Sequence, residues 1–218
     1  PFTLAVEDAL ALPAADLNLE AHACTRVHVL PCIAGHVGAD TAAVVLASRP
    51  HTSDDVRLVV DVGTNAEIVL AGNGRILAAS SPTGPAFEGA QISCGQRAAP
   101  GAVERVRIDP LTLVPRFQVI GCEFWSDHPR FQEATLKTGV TGICGSGIIE
   151  TVAELFLTGI IRPDGLIDET LIEKNSRVVR DGRTCAYIIH QGKQEIRITQ
   201  NDIRAIQLAK AALYAGIK

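Results

Sequence analysis

Methionine is absent from the 218 residues; the chain begins at Pro1, and Lys218 follows a helical run with no clear stop beyond Gly216. Both ends read as cuts, so the lack of a targeting segment says nothing about what lies upstream. A basic excess is lacking too. Twenty Lys and Arg stand against 24 Asp and Glu, a net charge of -4, so the electrostatic footprint that phosphate-backbone binding requires is missing and no nucleic-acid partner is expected. No apolar run approaches the roughly 18–20 residues of a membrane span; the longest candidate is broken by Glu150 and Glu154. The reading is a soluble, cytoplasmic protein with no membrane partner. The six cysteines, Cys24, Cys32, Cys94, Cys122, Cys144 and Cys185, form no C-x-x-C pair, which fits reduced thiols in the cytosol. His22, Cys24, His28, Cys32 and His36 fall close together, but Val27, Val29, Leu30 and Pro31 make that stretch a strand and turn. Their side chains then diverge, and the metal-site reading is set aside in favour of ordinary His and Cys.

Apolar residues are 47% and charged residues 20% of the chain, values of an ordinary globular protein. The length suits one large domain or two lobes. An irregular, partly helical opening leads to a strand at 27–30. Ala39–Ser48 (ADTAAVVLAS) reads as a packed helix stopped before Pro50. From Arg57 the run RLVVDVGTNAEIVL gives a strand, a Gly-Thr-Asn turn and a second strand, and Asn73-Gly74 then turns into a third over 75–79, a β-meander. Pro85 falls at the first turn of a helix expected to continue over 87–94. A second sheet region spans 103–120. Gly142–Gly147 opens a helix over 148–157 that Gly159 ends, strands at 184–189 and 195–198 form a hairpin, and Thr199-Gln200-Asn201-Asp202 resembles a capping box with Asp in place of Glu, starting a helix to about 215. Strand trios mixed with helices make an α/β or α+β protein.

Asp61 ends an apolar strand and is followed by Gly63, Thr64 and Asn65. A carboxylate buried there needs a counter-charge, and hydrated Mg²⁺ with substrate phosphates is a natural one. Gly63 allows positive φ, so the amides of Gly63, Thr64 and Asn65 can converge on an anion; a plain hairpin turn with Asp61 capping it is the alternative. The second cluster, Gly142-Ile143-Cys144-Gly145-Ser146-Gly147, precedes a helix whose free amides and dipole favour anions; its alternative is a tight turn with Ser146 as N-cap. It is neither a Rossmann fingerprint, the spacing being G-x-x-G-x-G, nor a nucleophile elbow, since Cys144 stands where Gly is needed. In Gly84-Pro85-Ala86-Phe87-Glu88-Gly89, Glu88 either serves the helix dipole or orients the water that attacks a γ-phosphate. Glu67 is a weaker candidate for the same task.

With DVGTNAEIVL, GPAFEGAQISCGQRAAPGAVERV, GICGSGIIETVAELFLTGII and ITQNDIRAIQLAKAAL in this order, nearly the whole chain resembles the C-terminal ATPase domain of the reductive activators of corrinoid proteins. That domain is of the acetate and sugar kinase, heat-shock protein and actin superfamily, a ribonuclease H-like α/β fold. The resemblance implies a 2Fe-2S ferredoxin domain upstream, a first phosphate loop before Pro1 and an adenosine motif after Lys218, none of them in this chain, which is therefore expected to bind ATP weakly or not at all alone. Residues 1–55 would be the end of a first lobe with a connecting helix, and 56–218 a second lobe carrying the phosphate-binding hairpin and inserted elements. Asp61 to Asn65 becomes the second phosphate loop, with Asp61 holding Mg²⁺ through water. Catalytic candidates are Asp61, Glu88 and Glu67; nucleotide-binding candidates are Gly63, Thr64, Asn65, Gly84, Gly145, Ser146 and Gly147. The implied function is ATP-driven return of cobalt(II) corrinoid to cobalt(I), with a corrinoid protein or corrinoid-dependent methyltransferase as partner and a homodimer left open. A metabolite kinase of the same superfamily and a non-catalytic interaction domain are the rivals.

Overall fold

A computed structural model describes residues 3–4 and 6–218. These form two compact units, one taking in the described residues up to Pro82 together with Leu213–Lys218, the other Thr83–Ala212.

The first unit opens with β1 (Leu10–Pro13) paired antiparallel with β2 (Arg26–Val29). The Arg26 guanidinium donates to the Ala11 carbonyl at 2.6 Å. Helix α1 (Ala39–Ser48) has the bounds its sequence suggests and closes on Arg49 in the left-handed region (φ 45°), directly before Pro50. The meander follows as β3 (Arg57–Val62), β4 (Ala66–Gly72) and β5 (Arg75–Ser81), antiparallel in the order β3-β4-β5. Its second turn places Asn73 and Gly74 at φ 52° and 68°. Two successive positive φ angles are the signature of the tight turn whose twist matches the strands, and they explain why Asn-Gly stands there. Ala66, Ile68 and Val69 are buried in this sheet.

In the second unit, β6 (Ala102–Ile108) lies between β7 (Pro115–Val119) and the short β8 (Gly142–Ile143), antiparallel to the first and parallel to the second. Between β7 and β8 runs the single-turn helix α2 (Phe131–Ala134), and after β8 comes α3 (Gly145–Leu157). A second antiparallel sheet, β9 (Val178–Asp181), β10 (Thr184–His190) and β11 (Ile196–Thr199), has β10 at its centre. The last helix, α4, spans Gln200–Ile217. Val103, Val106, Ile143, Ile148, Leu155, Tyr187, Ile198 and Ile203 are fully buried and join both sheets and both long helices in one core.

β8 covers only Ala102 and Val103 of β6, so the farther amides of that edge need other partners. Two carboxylates one turn apart on α3 supply them. Glu150 accepts from Val106 N at 2.7 Å and Glu154 from Ile108 N at 2.9 Å, while Arg105 and Arg107 bind Glu150 from the same edge at 3.0 and 2.8 Å. The glutamates that break the apolar run in the sequence are thus what ties helix to sheet. Burial works to raise the Glu150 carboxyl, but the amide of Val106 and the two guanidinium groups together hold it below the usual carboxylate range.

Several local expectations need correction. The helix expected over 87–94 is a single 3-10 turn, Pro85–Glu88, ended by Gly89 at φ 85°. A Cβ on Gly89 would lie 2.9 Å from the Gln96 carbonyl oxygen, so two backbone segments pass in direct contact where the helix would have continued. The N-cap of α3 is Cys144, not Ser146, and neither caps through its side chain. β1, the short β8 and β9 lie outside the strands that the sequence suggests. Gly159 does end the α3 region at φ 76°, and the capping box at α4 is present: Thr199 N donates to Asp202 Oδ2 at 2.8 Å and Asp202 N to Thr199 Oγ1 at 3.2 Å. Among the described residues, no helix is long and apolar enough to cross a membrane.

Candidate functional site

Strand pairing decides the chemistry of the first unit's hairpin. Asp61 and Glu67 are register partners on β3 and β4, and Glu67 is in turn opposite Ser80 on β5. Directly opposite side chains on antiparallel strands have Cβ atoms about 4.5–5.5 Å apart, and like charges so placed repel. Two carboxylates and a hydroxyl are therefore lined up beside the Gly63–Asn65 turn, a hard-oxygen set of the kind that takes a hydrated divalent cation. Glu67 Oε1 accepts from Ser80 Oγ at 3.0 Å, which fixes one of the two carboxylates.

Asp61 is exposed and Glu67 half-buried. This corrects the argument from burial: solvent already screens Asp61, so desolvation does not compel a counter-charge there, and the cross-strand repulsion is the feature that a cation would relieve. The turn needs correction as well. Gly63 does not adopt positive φ, and its amide donates to the Asn65 carbonyl at 3.0 Å, so one of the three amides expected to converge on an anion is committed within the loop. Thr64 and Asn65 form the exposed crest of the turn.

The second unit brings together Glu88 and the glycine cluster. A Cβ on Gly145 would overlap the Phe87 carbonyl oxygen and lie 3.7 Å from Glu88 Cα. The 3-10 turn carrying Glu88 therefore sits on the first residue of α3. Gly84 enters that turn at φ 74° with open space around it, and Glu88 is exposed at its end. Ser146 is exposed on the first turn of α3. Gly147 faces the sheet: a Cβ there would overlap the Val103 carbonyl oxygen and lie 2.9 Å from Ile143 Cγ1. Close approach of α3 to β6 accounts for Gly147, and close approach of the 3-10 turn to α3 accounts for Gly145.

Cys144 is buried, and its thiol lies 3.3 Å from both the Val103 carbonyl and Ser146 Oγ. With the thiol donating to Val103 O, it is a packed hydrogen-bond donor and not a nucleophile. All six cysteines are free of disulfides, and among the described residues no group of three or more His, Cys, Asp or Glu side chains is placed to hold a metal ion directly. Around His22 the local bonding is a turn, its Nδ1 accepting from Cys24 N at 3.2 Å.

Three residues outside the predicted site organise the second unit. Asp202 reaches beyond its own helix to Ser93, Gln200 ties α4 to Gly165 and Ile167, and Tyr187 donates to the Leu113 carbonyl at 2.8 Å. Only Asp202 carried a local signal, its place in the capping box.

Residues 55–218 match the model of the C-terminal domain of RACo, the ASKHA domain, and residues 1–53 match that of the RACo middle region. The chain belongs to the RACo family. It is 34% identical to the corrinoid activation enzyme RamQ of Eubacterium limosum over 99% of this chain and 35% of that protein. It is also 39% identical to the [Co(II) methylated amine-specific corrinoid protein] reductase of Methanosarcina barkeri, over 44% of this chain and 18% of that one. A solved reductive activator for a corrinoid, iron-sulfur protein superposes with TM-score 0.81 at 33% identity, covering 99% of this chain and 32% of its own. The chain thus spans about a third or less of the length of these relatives. Its fold is that of the acetate and sugar kinase, heat-shock protein and actin superfamily, as its motifs suggest.

Proposed function

We propose that the chain is the ATP-binding part of a cytoplasmic activator that reduces cobalt(II) corrinoid proteins of methyltransferase systems. Membership of the RACo family and the similarity to a corrinoid activation enzyme and a corrinoid protein reductase support the corrinoid part of the reading. The observation that carries the nucleotide part is the Asp61–Glu67 cross-strand pair with Ser80 beside a Gly-Thr-Asn turn. These residues fit Mg²⁺ held through water, Asp61 and Glu67 accepting from its hydration shell and the Thr64–Asn65 side of the turn facing the phosphates. Magnesium, when bound, neutralises charge on the phosphates. Glu88 is the carboxylate that orients the attacking water.

The cysteines of the chain do not fit an iron-sulfur cluster, because none of them lies grouped with enough other ligands among the described residues; a 2Fe-2S cluster belongs to another domain of the intact activator. The role of this chain is to time electron transfer, not to carry the electron. ATP drives such a step only by binding one conformational state better than another, and hydrolysis releases that preference. In the intact activator, Asp61→Asn abolishes ATP-dependent reduction of the corrinoid protein and leaves far-UV circular dichroism unchanged. Activation at the wild-type rate by that variant overturns the assignment.

A further inference from the structure

Asp202 is 1% exposed, yet its carboxylate is shared between two tasks. Oδ2 accepts from Thr199 N and Thr199 Oγ1, both at 2.8 Å, which completes the cap of α4. Oδ1 accepts from Ser93 N at 2.8 Å and Ser93 Oγ at 3.1 Å, 109 residues away in sequence. A capping box needs only Thr199 N on Oδ2 and the reciprocal bond from Asp202 N to Thr199 Oγ1, and nothing on Oδ1. The second pair pins a loop.

That loop is the one that follows Glu88. Gly89 N donates to Ala86 O at 3.1 Å and closes the 3-10 turn, Gly95 N donates to Ile92 O at 2.9 Å, and Cys94 O accepts from Ile143 N at 2.9 Å. Gly89 and Gly95 pass so close that a Cβ on Gly95 would overlap the Gly89 carbonyl. Ser93 is therefore joined to Glu88 through a short, interlocked stretch of backbone with little slack. We propose that Asp202 is a positioning residue: by holding Ser93 to the start of α4, it fixes the 3-10 turn and with it the direction of the Glu88 carboxylate. The inference rests on Glu88 orienting the attacking water.

The carboxylate is the right group for this task. Its four donors come in two pairs, one to each oxygen, and an amide has a single acceptor oxygen. Asp202→Asn turns an N–H₂ toward one donor pair, so it keeps either the cap or the loop. A residue that only stabilises the fold loses its effect once the protein is folded, whereas a positioning residue keeps an effect on turnover that depends on the group it positions.

The test is a double-mutant cycle of Glu88→Gln and Asp202→Asn in the intact activator, reading phosphate release at a temperature where circular dichroism shows every variant folded. Expected are a fall of about tenfold in kcat for Asp202→Asn with the KM for ATP changed by less than about twofold, and a double variant no slower than Glu88→Gln alone. Ser93→Ala, which removes one of the four donors and none of the cap, shows the same pattern more weakly and replaces Asp202→Asn if that variant does not fold. Multiplying effects in the cycle, or a loss confined to KM, overturn the positioning role. If Glu88→Gln itself hydrolyses ATP at the wild-type rate, it is the assignment of Glu88 that fails, and with it the inference built upon it.

Discussion

Gly147→Ala separates a packing glycine from a phosphate-binding one by the sign of its effect on stability. An alanine in a helix is ordinarily favoured over glycine by about 0.8–1 kcal/mol. Here the new Cβ lies 2.9 Å from Ile143 Cγ1 and 3.0 Å from the Val103 carbonyl carbon, and nearer still to Val103 O, whereas carbon atoms rest at about 3.5–4.0 Å. The protein has two ways to respond. It keeps α3 in place and bears the overlap, at about 1–3 kcal/mol, or moves α3 roughly 1 Å outward. The second course stretches the Glu150–Val106 and Glu154–Ile108 bonds from 2.7 and 2.9 Å beyond bonding distance, at about 0.5–1.5 kcal/mol for each bond. Either response cancels or exceeds the helix gain, leaving a net destabilisation of about 0–2 kcal/mol. Urea unfolding followed by the fluorescence of Trp125, the single tryptophan, reads it in the second unit. The exposed neighbouring change Ser146→Ala shifts the same transition by less than about 0.5 kcal/mol. A Gly147→Ala protein more stable than wild type by about the full helix gain of 0.8–1 kcal/mol refutes the packing account and returns Gly147 to the anion-binding role.

Glu150→Ala leaves the buried Val106 amide without its acceptor and destabilises the second unit by about 1–3 kcal/mol, measured by the same denaturation. Gly74→Ala costs about 1 kcal/mol through its φ of 68° alone, because nothing lies within 4 Å of the added Cβ and the strain of a left-handed non-glycine residue is of that order; thermal unfolding of the variant checks it. The half-buried His190, packed edge-on against Phe117 at 5.4 Å, has its pKa lowered by burial and then by Arg177. The unfolded chain therefore takes up the proton first, so this contribution to stability is full above pH 6.5, its ordinary value, and is lost as pH falls from there toward the folded value. The difference in unfolding free energy between wild type and His190→Asn, followed from pH 8 to 5, shrinks across that window.

The meander was legible because its signals are local: β-rich runs of known length, and an Asn-Gly pair whose two positive φ angles nothing else satisfies as easily. The cap of α4 was legible for the same reason, Thr199 and Asp202 being three residues apart. What escaped depends on contacts distant in sequence. The 3-10 turn at Pro85 ends where it does because Gln96 lies against Gly89, and no pattern within 85–94 announces that. Gly145 and Gly147 resemble an anion-binding loop in sequence, since a glycine that admits a phosphate and one that admits a neighbouring backbone are the same residue. Asp61 was identified as a site residue for burial it does not have; its pairing with Glu67 follows from strand register, which the hairpin spelled out once its turn was placed. The family was legible from the order of four long motifs, which no single motif carries.

The most direct measurement is nucleotide binding by calorimetry and phosphate release by the intact activator, with and without a cobalt(II) corrinoid protein. Binding of ATP with turnover that rises when the corrinoid protein is added, and that disappears in Asp61→Asn, is the result this account predicts. No ATP binding, or partner-independent transfer of phosphate to a small metabolite, contradicts it.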